Sequence, residues 1–234
     1  MVLELSYVNR PDMPKWPTNP EENYEGNGRI AQGSPSNASS VYHHLHTGTH
    51  VDAPWHFDDH GRTIEQIPIE DFYYTHPLVL TVRKSRGERI RREDLELYEE
   101  QLKEADIVLL YTGHSELREK DPAAFIDDFP CVDPKAALYL REEFPLLKAV
   151  AMDSISFDSA VTGDAEGYPS HHALLEVSEK TPQRTLLLFE DVNLRVLLGV
   201  KNILAICAFP VRFAGLEAAP VAMVAITGEE EAEC

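Results

Sequence analysis

Six of the ten histidines in this chain, His43, His44, His46, His50, His56 and His60, fall within eighteen consecutive residues. The centre of the cluster reads His46-Thr-Gly-Thr-His50-Val-Asp52-Ala-Pro-Trp-His56-Phe57. Imidazoles mixed with a carboxylate are the donors that Zn2+, Mn2+ and Fe2+ take. A regular strand would set His46 and His50 ~13 Å apart, too far for one ion. A helix would bring the two histidines together but turn Asp52 away, and Gly48, Thr49 and Pro54 resist helix. The chain must therefore bend, and Gly48 permits it through backbone angles closed to other residues or through a bulge. The segment is expected at a strand end turning into a loop. Alternation puts His44 on the face of His46 and His43 on the other, and His43, His44 and His60 read as structural or solvent-facing.

A second group lies far along the chain, in Ser170-His171-His172-Ala-Leu-Leu-Glu176 and then Leu186-Leu-Leu-Phe-Glu190-Asp191. An acidic pair closing an apolar run belongs where ligands gather in α/β proteins, at the carboxyl ends of strands. Asp153 closes another such run. No Gly-x-Ser-x-Gly is present and no cysteine adjoins the histidines, which argues against a covalent nucleophile.

Elements must hold these residues in place. Apolar runs of strand length recur at 78–82, 107–111, 149–152, 185–189, 203–209 and 221–226. Between them, 92–104 and 134–144 carry apolar residues at helical spacing, the second opened by Asp133-Pro134. This alternation predicts an α/β domain with a parallel or mixed central sheet. Residues 11–40, rich in Pro, Gly, Asn and Ser, read as a long loop in which Trp16 stands out. The stretch 228–234 reads as an acidic tail, and 1–234 as a single domain.

The chain has 234 residues, with 40 acidic side chains against 21 basic ones and a formal charge of −19. That balance excludes a phosphate-binding surface for nucleic acid and adhesion to an anionic membrane. No apolar run reaches the ~18 residues of a membrane span, and no signal-like start is present, so the expected location is cytoplasmic. Three widely spaced cysteines fit a reducing compartment.

The segment His46 to Phe57 resembles the His-x-Gly-Thr-His-x-Asp-x-Pro-x-His-Phe signature of cyclase-family metal-dependent hydrolases, which include kynurenine formamidase and isatin hydrolase. Similarity extends to Trp16-Pro17, Ile64 to Phe72, Tyr111-Thr-Gly113, Met152 to Asp158, Phe209 to Arg212 and Ala219-Pro-Val221. The resemblance implies a swivelling β/β/α fold assembled as a homodimer or homotetramer. It also implies metal ligands at His46, His50 and Asp52, with Asp52 able to bridge two ions, His171 a ligand of the second and Glu190 a ligand of both, the metal being Zn2+ or alternatively Mn2+. By the same resemblance His56 shuttles protons and Trp16 lies against a small-molecule substrate. Glu190 follows His171 by nineteen residues, more than the resemblance calls for. A loop around Glu179 to Arg184 therefore reads as inserted, with His172 or Glu176 as alternative ligands and the pocket open to reshaping.

The expected chemistry is hydrolysis of an amide or lactam carbonyl, with N-formyl-L-kynurenine the leading substrate. Trp16, Trp55, Phe57 and Tyr73 are candidates for an aromatic pocket. Two other readings stay open: a non-haem iron oxygenase using His50, Asp52 and His171, and a non-catalytic metal-binding protein.

Overall fold

The computed structural model describes residues 1–182 and 184–228. In chain order the strands are β1 (Val2–Glu4), β2 (Asn23–Gly28), β3 (Ala38–Tyr42), β4 (His50–Asp52), β5 (Tyr73–Tyr74), β6 (Pro77–Thr81), β7 (Arg89–Ile90), β8 (Ile107–Tyr111), β9 (Cys131–Val132), β10 (Ala149–Met152), β11 (Leu187–Glu190), β12 (Ile203–Pro210) and β13 (Ala218–Thr227). The helices are α1 (Arg92–Glu96), α2 (Glu99–Leu102), α3 (Pro122–Ile126), α4 (Pro134–Glu143), α5 (Gly163–Glu166) and α6 (Pro169–Leu175). The acidic tail expected at 228–234 lies, after Gly228, outside the described residues. Among them, no helix is long and apolar enough to cross a membrane.

Nine strands form a large mixed sheet, nearly closed on itself, in the order β5-β12-β13-β4-β11-β10-β8-β6, with β1 also on β13. The apolar runs of the sequence explain its parallel half. Strands β6, β8, β10 and β11 pair in parallel, and their side chains alternate between two cores. Ile107, Leu109, Tyr111, Ala149, Ala151, Leu187 and Phe189 face one core with Val51, Ile206 and Met223 from the antiparallel half. Val108, Leu110, Val150, Met152 and Leu188 face the other, with Leu95, Leu102, Leu140 and Leu174 from the helices. Strands buried on both faces read as unbroken apolar runs, as these do.

Helix α4 starts where the sequence said, because the Asp133 carboxylate accepts from the Lys135 N–H at 2.9 Å and Pro134 needs no donor partner. The single helix expected over 92–104 is instead α1 and α2. Tyr98 leaves helical angles (φ −119°, ψ 17°), and the kink lets Leu102 as well as Leu95 reach the core. The expected loop 11–40 is in part a hairpin of β2 and β3. Its composition bars a buried strand, but an antiparallel pair outside the main sheet needs only backbone partners, and all but one of its strand residues are exposed. Glu22 fastens the hairpin base, its carboxylate lying 2.6 Å from His43 Nδ1 and accepting from the His44 N–H at 3.1 Å.

The strand end expected within His46 to Phe57 is β4, followed by a turn over Pro54–His56. The three residues of β4 run antiparallel to both β11 and β13 and join the two halves of the sheet. This register sets His50 opposite Glu190 and Asp52 opposite Leu188.

The two-core assignment is checked by a pair of leucines. Leu109→Ala, in the interior of β8, should lower unfolding free energy by about 2–5 kcal/mol in urea titration. Leu138→Ala, on the exposed side of α4, should change it by less than about 0.5 kcal/mol.

Candidate active site

The bend expected at Gly48 is there, with φ +69°. A side chain could not be added without displacement, since a Cβ at this position would sit 2.6 Å from Asn9 Oδ1 and 3.2 Å from Met13 Sδ. The turn brings His46 back over β4, so that His46 Nδ1 lies 2.9 Å from Asp52 Oδ1 and His50 Nε2 lies 3.4 Å from the same oxygen. The strand register brings Glu190 Oε2 to 3.3 Å from His50 Nε2. From α6, His171 Nε2 reaches Glu190 Oε1 at 3.1 Å and Asp52 Oδ2 at 3.7 Å.

The outer nitrogen of each imidazole meets an acceptor. His50 Nδ1 lies 2.8 Å from the Gly48 carbonyl, His171 Nδ1 2.6 Å from Asp158 Oδ2, and His46 Nε2 3.3 Å from Glu217 Oε1. A proton held on the outer nitrogen leaves the inner one to offer its lone pair, the arrangement in which histidines bind metals. Asp158 is itself fixed by the Ser170 and His171 N–H groups at 3.0 and 2.9 Å, and Glu190 Oε1 accepts from the Phe157 N–H at 3.0 Å.

Electrostatics define what the cluster will hold. Burial raises the Asp52 pKa, but the histidines around it outweigh burial and keep it well below the usual carboxylate range. Burial likewise opposes charge on His50 and His171. Asp52 and Glu190 hold His50 well above an ordinary imidazole, and bonds to Asp158 and Glu190 lift His171 to about 10. The site therefore prefers positive charge. Both oxygens of Asp52 and Nε2 of His50 are fully buried without a well-aligned hydrogen-bond partner. Ligand atoms of His46, Asp52 and His56 lie within 4.8 Å of one another, as do those of His50, Asp52 and Glu190. Buried oxygen and nitrogen donors with spare lone pairs fit a divalent transition metal, and Asp52, common to both groups, could bridge two ions.

His56 stacks on His46, with ring centroids 4.1 Å apart. The proton-shuttling role that the resemblance implies would suit an imidazole with a pKa near working pH. Burial instead pushes it down to about 4, only partly offset by Asp52. At neutral pH this imidazole is an uncharged proton acceptor of low basicity.

A pocket of about 280 Å3 opens on the cluster, walled by Trp16, Phe57 and Tyr168 and floored by His46, His56 and His171. Trp16 is where the sequence reading put it, but Trp55 and Tyr73 are not in the wall. Trp55 is turned to solvent, and Tyr73 pairs with β12 at the sheet edge. Tyr168, which carries no motif, takes their place. His44 lines the pocket, while His60 is exposed as expected. His172 and Glu176 pair with each other at 2.8 Å, both side chains over two-fifths exposed, so Glu190 occupies the cluster and neither alternative does. The loop 176–186 contributes no described residue to the pocket wall. Arg184 instead donates to the Leu147 carbonyl, beyond the end of α4.

Sequence reasoning missed Glu217, which has no motif around it, and Asp158, whose place in Met152 to Asp158 was visible but whose partner was not. Asp153 turns from the site to accept from Thr112 N and Oγ1 (2.8 and 2.6 Å) and Ser115 Oγ (2.9 Å), which explains the strand-ending Thr112-Gly113.

Residues 3–159 match the family described as "Putative cyclase", and the chain belongs to that cyclase family. Kynurenine formamidase of Geobacillus thermodenitrificans is 26% identical over 172 residues, covering 74% of this chain and 76% of that protein. An uncharacterized protein of Haemophilus influenzae is 35% identical over 107 residues, 46% of this chain and 75% of its own. Among solved structures, isatin hydrolase A from Labrenzia aggregata superposes with a TM-score of 0.80 at 20% identity, over 98% of this chain and 94% of that one. A structure titled as a potential metal-dependent hydrolase with cyclase activity gives 0.74 at 24% identity, over 98% and 99%. These likenesses support the swivelling fold expected from the sequence.

Gly48→Ala tests the bend. Forcing an L-residue into this left-handed position against Asn9 should cost at least about 1–2 kcal/mol in urea titration, whereas Gly33→Ala, left-handed but with open space around it, should cost less.

Proposed function

We propose that the chain is a metal-dependent hydrolase of an amide or lactam C–N bond. The observation that carries this reading is the set of three imidazoles whose outer nitrogens are held by acceptors while the inner ones converge on Asp52 and Glu190. His46, His50 and Asp52 would hold one Zn2+ or Mn2+, with His171 and Glu190 available to a second. When bound, such an ion lowers the pKa of water from ~15.7 towards ~7 and polarises a carbonyl.

The chain's own groups do the rest. Trp16, Phe57 and Tyr168 offer faces and edges to a flat substrate and keep bulk water from its carbonyl. His56, uncharged at neutral pH, accepts the proton of the attacking water. Once charged it is a strong acid, fit to hand that proton to the leaving nitrogen.

The relatives named kynurenine formamidase support N-formyl-L-kynurenine, releasing formate, as the leading substrate. A neutral lactam is the second reading. Among the described residues lining the pocket none is Lys or Arg, so no guanidinium or ammonium there pairs with an amino-acid carboxylate. Formate release from N-formyl-L-kynurenine and ring opening of isatin, assayed side by side with metal analysis of the same sample, separate the two. Turnover of neither substrate by metal-loaded protein would refute both.

His56→Ala should lower turnover about 10²–10⁴-fold while bound metal persists. Loss of the metal instead would make His56 a ligand. Apparent Co2+ affinity should rise between about pH 6 and pH 9, because the imidazoles whose pKa values are raised must release protons to bind.

We also propose a homodimer or homotetramer. Tyr24, Val41 and Tyr42 stand exposed on the β2–β3 hairpin, and an isolated two-stranded pair is marginal in water without cover. Light scattering should give a mass at least twice that of the chain, and a monomer would overturn this assembly.

A further inference from the structure

Beside the site, Arg118 is 1% exposed and its guanidinium donates to both oxygens of Asp191, each at 2.7 Å. The cation also lies 3.7 Å from the centre of the Tyr7 ring and touches Glu119 at 3.2 Å. Neither Arg118 nor Asp191 lines the pocket. Asp191 follows Glu190 directly, and it holds a left-handed backbone, φ +51°, that residues other than Gly enter uncommonly, Asp and Asn more often than the rest. Such a conformation persists only where the surroundings over-determine it.

They do so here. The Asp191 N–H donates to the Ser154 carbonyl at 2.8 Å, and its carbonyl accepts from Thr49 Oγ1 at 2.6 Å. Thr49 Oγ1 in turn accepts from the Tyr7 N–H at 2.9 Å. One residue thus ties together the turn after β11, the segment after β10 that leads to Phe157, and the residue preceding His50. A guanidinium taken out of water must keep its counter-charge, so Asp191 cannot relax from its strained turn without stranding Arg118.

We propose that Arg118 and Asp191 are positioning residues for the site, setting its affinity for a divalent metal by fixing where Glu190 and His50 point. This rests on the reading of the cluster as a metal centre. The pair touches no substrate and acts only through its neighbours.

The test uses Co2+ as probe, with affinity from chelator competition, the visible Co2+ spectrum as the report on coordination, and metal-free stability from urea titration. Arg118→Met should weaken Co2+ binding about 10–100-fold and alter the spectrum, the range seen when groups that orient metal ligands are removed. Because that variant buries a lone carboxylate, Arg118→Met/Asp191→Gly supplies the control. It carries neither charge, and glycine suits the left-handed turn, so metal-free stability should recover towards wild type while Co2+ affinity stays at least about 10-fold low. Recovery of affinity together with stability would overturn the proposal and leave a purely structural ion pair. Wild-type affinity and spectrum in a folded Arg118→Met protein would overturn it as well. A wild-type chain that binds no Co2+ would refute the metal-centre reading itself and this inference with it.

Discussion

A carboxylate with no exposed atom imposes terms on everything near it. Asp52 is fully buried in the middle strand of the sheet, where a bare charge is untenable unless positive or hydrogen-donating groups surround it. His46, His50 and His171 answer that demand from two parts of the chain, and each is braced from behind by an acceptor. A second buried carboxylate, Glu190, repeats the problem 19 residues after His171 and shares two of these imidazoles, His50 and His171. The result is a compact arrangement of donors whose natural occupant is a cation. The surrounding fold is best understood as the means of holding these mutually dependent charges in one place.

The sheet supplies that means through one irregularity. Four parallel strands deliver their carboxyl ends to a common edge, and β4 enters antiparallel beside them. An antiparallel neighbour puts the start of β4 next to the end of β11, so His50 faces Glu190 across the ladder. Had β4 run parallel, its first residue would lie at the opposite end of the sheet. The alternation that sends Val51 and Phe189 into one core sends His50, Asp52 and Glu190 towards the helical side, where α6 presents His171.

Much of this was readable from residues alone, for physical reasons that differ by element. Strands β8 and β10 were legible to the residue because unbroken Val, Leu, Ile and Ala runs suit burial on both faces. The start of α4 was legible because Asp133-Pro134 is a local signal. The bend at Gly48 followed from ligand geometry, since no regular structure joins His46, His50 and Asp52. What escaped depended on distant partners. Strand β4 is only three residues long and includes two polar ones, so a strand end was expected there but its bounds and its two partners come wholly from its neighbours. Glu217, Tyr168 and Arg118 bear no motif, and their roles, like the pairing of Asp191 with Arg118, arise when segments far apart in sequence meet. The depressed pKa of His56 is of the same kind, being a product of burial.

The ladder around β4 also orders events in time. His50–Asp52 must pair with residues 188–190 and 218–220, which leave the ribosome long after the histidine-rich segment does. Contacts so far apart in sequence form slowly and only once the late strands exist. Until then the histidine-rich segment and its acidic partners are separate stretches of chain, each at most a loose ligand for passing cations. The full set of donors comes together only with the closing of the sheet, which couples assembly of the site to completion of the fold.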